Sequence, residues 1–256
     1  MHLERAAVVS SERAYENTHL LWLAAPAVGR AAGAGQFLMV RCGEGYDPLL
    51  PRPMSFHRFR RVGDERRFAL LFDIRGRGTE WLARREAGDA IDVFGPLGCG
   101  FEVDKASHNL LLVAGGIGVA ALVALADEAA ADGRSLTLLQ GARTAARLFP
   151  TTLLPPEVEV ATATDDGSAG HPGLVTDLLA QYLPWADQVF ACGPTPMFRA
   201  MAAVVRQEAS RKPVQVLLEE RMACGTGVCY SCAVFTRRGV RLVCKDGPCF
   251  ELREVF

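Results

Sequence analysis

Three closely spaced cysteines near the C-terminus constrain this chain more than any other feature. Cys224, Cys229 and Cys232 are separated by four and then two residues in the segment LEERMACGTGVCYSC, and Cys244 follows within VCKDGP. The spacing C-x4-C-x2-C with a later cysteine is typical of plant-type [2Fe–2S] ligation, in which each of two irons takes two thiolates. The sequence therefore predicts a [2Fe–2S] cluster in this segment.

The residues between the cysteines support the same interpretation. Gly225 and Gly227 allow the backbone to wrap tightly and to turn its N–H groups toward the sulfides of a cluster. Spacing alone leaves the fourth ligand open between Cys244 and Cys249. A tetrahedral zinc site usually has two C-x2-C pairs, whereas this segment has one, and a disulfide scaffold is typical of exported chains. Nothing in the sequence indicates export, so zinc and disulfides are the weaker alternatives.

Length, charge and hydropathy limit the class of protein. A chain of 256 residues suits two domains, or two with a small appendage, and its net charge of −1 argues against a nucleic-acid partner. No apolar run reaches the roughly 18 residues that span a membrane, and the N-terminal segment MHLERAAVVS lacks the apolar core of a signal peptide. We therefore expect a cytoplasmic protein with neither a membrane nor a nucleic-acid partner.

Residues 1–102 are predicted to form an antiparallel β-barrel. Short apolar runs alternate there with glycine-containing turns, as they do in antiparallel barrels. The predicted strands are Arg5–Ser10, His19–Ala24, Gln36–Arg41, Ser55–Phe59, Arg67–Ile74 and Asp89–Phe94, and one helix is predicted at Gly78–Arg85.

Two motifs in this barrel suit a phosphate-bearing ligand. An arginine beside a proline, Arg52-Pro53, presents a rigid two-pronged donor that suits a pyrophosphate, and Ser55 could hydrogen-bond the edge of a flat ring. Gly78 and Thr79 begin the predicted helix, where free N–H groups attract anions. Taken singly, each motif is also compatible with an ordinary surface turn or helix cap.

Residues 103–215 alternate strands and helices, which predicts a doubly wound parallel sheet. The apolar strand NLLLVA runs into Gly115, Gly116 and Gly118, the glycine turn that brings a phosphate to a helix N-terminus. Cys192 is expected at another strand end, where such sheets bind ligands. The predicted strands are Asn109–Ala114, Ser135–Gln140, Glu157–Ala163, Gln188–Ala191 and Val214–Leu218, and the predicted helices are Val119–Ala131, Gly173–Tyr182 and Pro196–Glu208.

The order of motifs resembles the ferredoxin–NADP⁺ reductase superfamily. An RPMS strand, a GRGT helix start, a GPLGCGF loop, a GGIG turn, a CGPTPM turn and a C-terminal cysteine loop follow one another along the whole chain. The tail, LEERMACGTGVCYSC with VCKDGP, is similar to that of the electron-transfer subunits of bacterial dihydroorotate dehydrogenase B. The resemblance implies an all-β flavin-binding barrel, an α/β nucleotide domain, and a small [2Fe–2S] domain over residues 216–256.

The resemblance also implies site residues. The [2Fe–2S] ligands would be Cys224, Cys229, Cys232 and, because of the CKDGP motif, Cys244. NAD would lie against Gly115, Gly116, Gly118 and the turn from Cys192 to Met197, with Cys192 lining the site of hydride transfer. The implied FAD contacts are Arg52, Pro53, Met54, Ser55, Leu71, Phe72, Asp73, Gly78 and Thr79.

The function that the resemblance implies is electron transfer in pyrimidine biosynthesis. Electrons from the FMN of a separate dihydroorotate dehydrogenase catalytic subunit would reach NAD⁺ by way of the [2Fe–2S] cluster and FAD, in a complex of two plus two subunits. We expect the loop from Met222 to Tyr230 near the surface that meets this partner. Arg143 leaves the choice between NAD and NADP open.

Two alternatives are retained. One is the flavin and iron–sulfur subunit of a soluble hydrogenase or sulfide-related reductase, which would share these domains. The other is a zinc-stabilised adaptor without enzymatic activity.

Overall fold

The computed structural model describes all 256 residues, which form two seven-stranded sheets and a small cysteine-rich segment. The strands of the N-terminal sheet are β1 (His2–Tyr15), β2 (Thr18–Ala24), β3 (Phe37–Val40), β4 (Arg52–Ser55), β5 (Arg58–Val62), β6 (Glu65–Asp73) and β7 (Ala90–Leu97). The remaining strands are β8 (Asn109–Gly115), β9 (Ser135–Ala142), β10 (Val158–Thr164), β11 (His171–Pro172), β12 (Gln188–Cys192), β13 (Val214–Leu217), β14 (Ala233–Thr236), β15 (Gly239–Leu242) and β16 (Cys249–Glu251). The helices are α1 (Pro26–Ala31), α2 (Arg77–Ala83), α3 (Val119–Ala131), α4 (Leu179–Tyr182), α5 (Thr195–Gln207), α6 (Val243–Asp246) and α7 (Leu252–Val255).

The N-terminal sheet is antiparallel, with the strand order β4-β3-β7-β1-β2-β6-β5. Strands β4 and β5 lie at opposite edges of this order, yet only Phe56 and His57 separate them in sequence. The sheet must therefore curl until its two edges approach, which confirms the predicted antiparallel barrel. A core of 17 buried residues, including Phe56, Phe68 and Leu21, fills its interior.

The predicted single strand Ser55–Phe59 is wrong, because the chain turns a corner there. Phe56 and His57 are consecutive and both buried, Phe56 in the barrel core and His57 against α3, where its ring nitrogen lies 3.0 Å from the Ala120 carbonyl oxygen. A straight strand sends consecutive side chains to opposite faces of one sheet. The short helix α1 was not predicted; its first N–H groups, at Ala27 and Val28, donate to the Glu4 carboxylate.

The second sheet has the order β11-β10-β9-β8-β12-β13-β16 and is parallel except for β16, which pairs antiparallel with β13. Helix α3 covers one face and α5 the other. Leu110 and Leu112 face α3, whereas Leu111 and Val113 face the α5 side. Burial on both faces explains why the β8 sequence is continuously apolar. The predicted doubly wound fold is confirmed.

The predicted helix Gly173–Tyr182 begins later than expected. Gly173 has a positive φ of 137° and Leu174 is extended, so helical structure starts as a 3-10 turn at Val175 and becomes α-helical over α4. In contrast, α3 has the bounds predicted for it.

The C-terminal segment leaves the parallel sheet after β13 and returns to it. It forms the cysteine loop, the two-stranded sheet β14–β15 and α6, and then pairs β16 with β13. The proposed domain limits of 102/103 and 215/216 stay predictions. None of the helices combines the length and the apolar character needed to cross a bilayer.

Candidate functional site

The four cysteines of the C-terminal loop form an outer and an inner pair. Cys224 and Cys229 lie within hydrogen-bonding reach of each other near the surface, and Cys232 and Cys244 form a second such pair that is buried. No three His, Cys, Asp or Glu side chains converge on one point. Two pairs of thiols suit a centre of two irons, each taking two thiolates, so these residues fit a [2Fe–2S] cluster.

Backbone N–H groups point at the sulfurs of both pairs. The N–H groups of Thr226 and Gly227 donate to Cys224 Sγ (3.3 Å) and Cys244 Sγ (3.1 Å), and the Cys244 N–H donates to Cys232 Sγ (3.4 Å). Donors aimed at sulfur stabilise the thiolate and the negative charge of a cluster. Gly227 can adopt this conformation because its φ is +83°, a region that residues with a side chain avoid.

The pKa values of Cys224 and Cys229 are shifted in the opposite direction from that of Cys244. Burial raises the pKa of Cys224, but the N–H groups of Thr226 and Cys229 outweigh it and lower the value to about 5. The Ser231 hydroxyl, 3.2 Å from Cys229 Sγ, is the main cause of a lowered pKa at Cys229. Burial raises the pKa of Cys244 to about 12. The thiolate is therefore favoured at Cys224 in the metal-free protein.

The structure separates Cys249 from the other candidate ligands. Cys249 lies on β16, where its sulfur approaches the Gly35 carbonyl oxygen (3.7 Å) at the barrel, and burial raises its pKa. Cys244, by contrast, is paired with Cys232 and receives the Gly227 N–H. The geometry thus groups Cys244 rather than Cys249 with the C-x4-C-x2-C cysteines.

A cavity of about 1360 Å³ lies between the barrel and the carboxyl ends of the parallel strands. Gly115, Gly116 and Gly118 line it, together with the turn from Gly193 to Met197. A Cβ on Gly118 would come within 2.1 Å of the Cys192 carbonyl oxygen, so no larger residue fits. Two close-packed, glycine-containing turns at strand ends suit the phosphates of a dinucleotide.

Cys192 does not line this cavity but lies behind the residues that do. Its side chain is buried, and its Sγ is 4.0 Å from Glu219 Oε1, whose residue does line the cavity. Burial raises the pKa of Cys192, with the Glu219 carboxylate adding to the effect. Cys192 is therefore a neutral thiol, and its role in hydride transfer stays a prediction.

The expected flavin residues lie on neighbouring elements of the barrel. Arg52, Pro53, Met54 and Ser55 form β4, Leu71, Phe72 and Asp73 end β6, and Gly78 and Thr79 lie in α2. A Cβ on Gly78 would be 3.3 Å from Arg52 Nε, and the Thr79 hydroxyl accepts the N–H groups of Arg75 (2.8 Å) and Gly76 (3.2 Å). Arg52 lies beside Gly78, which has no side chain to block a ligand. An arginine next to such a glycine fits a pyrophosphate, so these residues suit FAD.

Sequence reasoning missed a group of charged residues in the cavity wall. Glu16 and Glu219 line it, and Arg147 forms ion pairs with Glu16 and Asp73 across it. Nothing in the local sequence around Arg147 indicates a partner, because Asp73 lies 74 positions away. Arg143, which the sequence did single out, also lines the cavity.

Comparison with known proteins identifies the family to which this chain is related. Residues 219–256 match the family described as the iron–sulfur cluster binding domain of dihydroorotate dehydrogenase B. The chain is 38% identical over 246 residues to the dihydroorotate dehydrogenase B (NAD(+)) electron transfer subunit of Desulforamulus reducens, covering 93% of this chain and 92% of that one. It is 37% identical to the Geobacillus thermodenitrificans subunit of the same name, covering 98% of each.

Solved structures share the fold. A structure from work on flavin-based electron bifurcation by the NADH-dependent reduced ferredoxin-NADP oxidoreductase superimposes with a TM-score of 0.85 at 30% identity, covering 98% of this chain and 89% of that one. The ferredoxin reductase of carbazole 1,9a-dioxygenase has a TM-score of 0.69 at 20% identity, covering 84% and 68%. The predicted fold class and the small C-terminal iron–sulfur domain are thereby confirmed. The chain belongs to the family of electron-transfer subunits of NAD(+)-dependent dihydroorotate dehydrogenase B.

Proposed function

We propose that this protein passes electrons from a dihydroorotate dehydrogenase catalytic subunit to NAD⁺, as a step of pyrimidine biosynthesis. One observation carries the proposal: paired thiols that fit a [2Fe–2S] cluster and a dinucleotide cavity occur in one chain of this family. When bound, the cluster would exchange single electrons and FAD would exchange both single electrons and a hydride. Together they would connect dihydroorotate oxidation on the partner with NAD⁺ reduction.

The protein's own residues hold and orient these groups. Cys224, Cys229, Cys232 and Cys244 would hold the cluster, while the β4, β6 and α2 residues of the barrel would hold FAD. The nicotinamide nucleotide would lie in the cavity against Gly115, Gly116 and Gly118. The neutral Cys192 thiol would pack behind the nicotinamide site, and the Cys192→Ala variant is expected to slow NADH oxidation while leaving FAD bound.

We further propose that the cavity prefers NAD to NADP. Asp165, which directly follows β10, lines the cavity at a strand end beside Arg143. A carboxylate there accepts hydrogen bonds from ribose hydroxyls and repels a 2′-phosphate. Arg147 is already paired with two carboxylates and is not free to bind that phosphate. The Asp165→Ser variant is expected to narrow the preference for NADH over NADPH, measured as the ratio of the two kcat/KM values.

The catalytic partner would dock beside the outer cysteine pair. Val228 and Tyr230, in the loop that carries Cys229, are 77% and 65% exposed. Across a groove that reaches Cys224, the barrel presents the exposed side chains of Leu3 and Leu49. Apolar side chains exposed around an electron-transfer centre suit a protein interface. We further propose a complex of two electron-transfer and two catalytic subunits, which light-scattering mass measurement would test.

Reconstitution tests the function directly. The purified protein, loaded with flavin, iron and sulfide, is mixed with its FMN-containing catalytic subunit, and NADH formation from dihydroorotate is followed at 340 nm. Activity that requires both subunits is the expected result. A complex that oxidises dihydroorotate with artificial acceptors but never reduces NAD⁺ would contradict the proposal.

A second candidate is a reductase subunit of another electron-transfer system, such as a soluble hydrogenase or a sulfide-related reductase. The chain superimposes with a TM-score of 0.85 on a structure from work on an NADH-dependent reduced ferredoxin-NADP oxidoreductase. This similarity supports the second candidate. Failure with the dihydroorotate dehydrogenase partner, together with NADH-linked reduction of a ferredoxin, would favour this alternative.

A further inference from the structure

Arg147 connects the two halves of the molecule across the nucleotide cavity. It ends a short 3-10 turn that follows β9, in the nucleotide half. Its guanidinium reaches the barrel, where Nη1 lies 2.9 Å from Glu16 Oε2 and Nη2 lies 2.7 Å from Asp73 Oδ2. We call Glu16, Asp73 and Arg147 the cleft ion cluster; all three line the cavity.

The barrel side of this cluster is held in place. The Asp73 carboxylate, whose side chain is 5% exposed, also accepts the Thr18 hydroxyl at 2.9 Å. Asn17, next to Glu16, exchanges two hydrogen bonds with Ile74: its side-chain amide donates to the Ile74 carbonyl (2.6 Å), and the Ile74 N–H donates to the Asn17 carbonyl (3.0 Å). Within the barrel, Asp73 Oδ2 also pairs with Arg75 Nη2 at 3.0 Å, so the Asp73 carboxylate is fixed at the end of β6, while the Asn17 bonds keep the chain at Glu16 beside it.

The nucleotide side is equally well anchored. The buried side chain of Gln140, on β9, accepts the Phe149 N–H (3.1 Å) and donates to the Phe149 carbonyl (3.3 Å). The Arg147 N–H donates to the Thr144 carbonyl at 3.0 Å. Arg147 therefore projects from a segment that is tied to β9, and its planar guanidinium bridges the Glu16 and Asp73 carboxylates, one through each Nη atom.

The location of the cluster suggests what it does. Asp73 ends the β6 segment Leu71–Asp73, which is the proposed flavin contact, and Arg147 belongs to the half that carries the nucleotide glycines. We infer that Arg147 is a positioning residue, which sets the distance between the nicotinamide in the cavity and the flavin on the barrel. This inference rests on the proposed function, because it concerns hydride transfer between those two groups. Hydride transfer is sensitive to such distances, since a shift of about 1 Å in the reacting atoms can slow a reaction by roughly 100-fold.

Two variants and a matched control test the inference. Arg147→Met removes the charge and keeps most of the length, and Arg147→Lys keeps the charge but loses the two separate Nη donors that bridge Glu16 and Asp73. Arg67→Met is the control. Arg67 forms a 2.7 Å ion pair with Glu65 on the same strand of the barrel, and its side chain is 30% exposed, compared with 31% for Arg147. Each protein is loaded with flavin and iron, and its flavin content and thermal midpoint are checked.

Stopped-flow reduction of the flavin by NADH then separates binding from hydride transfer. For Arg147→Met we expect the limiting rate to fall about 10- to 100-fold while the NADH Kd changes by less than about threefold; Arg147→Lys should lie between this variant and the wild type. Hydrogen exchange in 14–18 and 143–149 should increase in Arg147→Met and not in Arg67→Met, with or without NADH.

The opposite outcomes overturn the inference. An NADH Kd raised more than about tenfold with an unchanged limiting rate would make Arg147 a nucleotide ligand. Unchanged rate and unchanged exchange would leave the cluster without a positioning role. If the wild type cannot reduce its flavin with NADH, the proposed function fails, while hydrogen exchange still decides whether Arg147 holds the two halves together.

Discussion

The cysteine loop and the joint between barrel and α3 are built on opposite principles. The loop is exposed on its outer side, and its N–H groups point at sulfurs rather than at other backbone groups. The joint is made by side chains: Arg58 pairs bidentately with Asp127 (2.6 and 2.9 Å), and the ring of His57 is buried against Ala120.

The difference concerns what stabilises each region. In the loop, thiols and N–H groups are arranged around a centre that the polypeptide does not supply, so its order depends on metal binding. In the joint, each charged or polar group is satisfied by another residue of the chain. Loss of the [2Fe–2S] cluster should therefore reduce the order of the cysteine loop and leave the joint between the barrel and α3 intact.

The largest effect is expected from the cysteine ligands. Cys229→Ser should abolish the iron–sulfur absorbance and the electron transfer to the partner, because a cluster of two irons needs four thiolates. Flavin content should remain normal. Cys249→Ser is the matched control and should keep the iron and sulfide content of the wild type. A full cluster in Cys229→Ser, or its loss in Cys249→Ser, would contradict the proposed ligand set.

A smaller effect is expected at the rim of the loop. Val228→Glu should weaken transfer from the catalytic subunit by about tenfold or more, because an unpaired charge placed in an apolar interface costs roughly 1.5–3 kcal/mol. The cluster spectrum and NADH–ferricyanide activity should not change. Val62→Glu, on an exposed valine at the end of β5 that lines neither the cavity nor the groove beside Cys224, is the control. Equal partner affinities for both variants would place the docking surface elsewhere.

The joint should respond through stability. Arg58→Met removes the partner of the half-buried Asp127 carboxylate and a 2.7 Å bond to the Leu153 carbonyl. We expect a loss of about 1–3 kcal/mol in the free energy of unfolding, with normal iron content. Arg41→Met breaks an exposed pair with Asp92 and should cost less than about 1 kcal/mol. Denaturant titration of both proteins would measure the difference. Equal losses of unfolding free energy would show that the Arg58–Asp127 pair stabilises the protein no more than an exposed ion pair does.

The most gradual effect, spread over several pH units, is a pH dependence at His57. Burial lowers the pKa of His57 to about 3, and its neutral ring donates Nδ1–H to the Ala120 carbonyl. The unfolded chain takes up a proton near pH 6.5, so the stability from neutral His57 is present above that pH. It is lost as pH falls from 6.5 toward 3, by at most about 1.4 kcal/mol per pH unit. His57→Gln should flatten this slope between pH 7 and pH 5, and an identical slope in both proteins would refute the assignment.

Local patterns predicted several parts of this protein correctly. The cysteine spacing indicated the cluster, and the run NLLLVA followed by glycines indicated a buried strand leading into a tight glycine turn. Both are encoded within a few residues, so no distant contact is needed to recognise them. The strand prediction failed at Phe56 and His57, where two different packing surfaces, rather than local propensity, decide the conformation.

By itself, the amino-acid sequence determined the order of barrel, nucleotide sheet and cysteine loop, and the residue types that the cofactors require. Cysteine spacing left the fourth ligand open and the CKDGP motif favoured Cys244; the tertiary structure places Cys244 beside Cys232 and Cys249 at the barrel. Only the tertiary structure shows that Arg147 meets Asp73 across the cavity. The physical reason is that ligand pairing and ion pairing depend on distances between side chains far apart in sequence. Such distances are set by how the two sheets pack, and no local pattern records them.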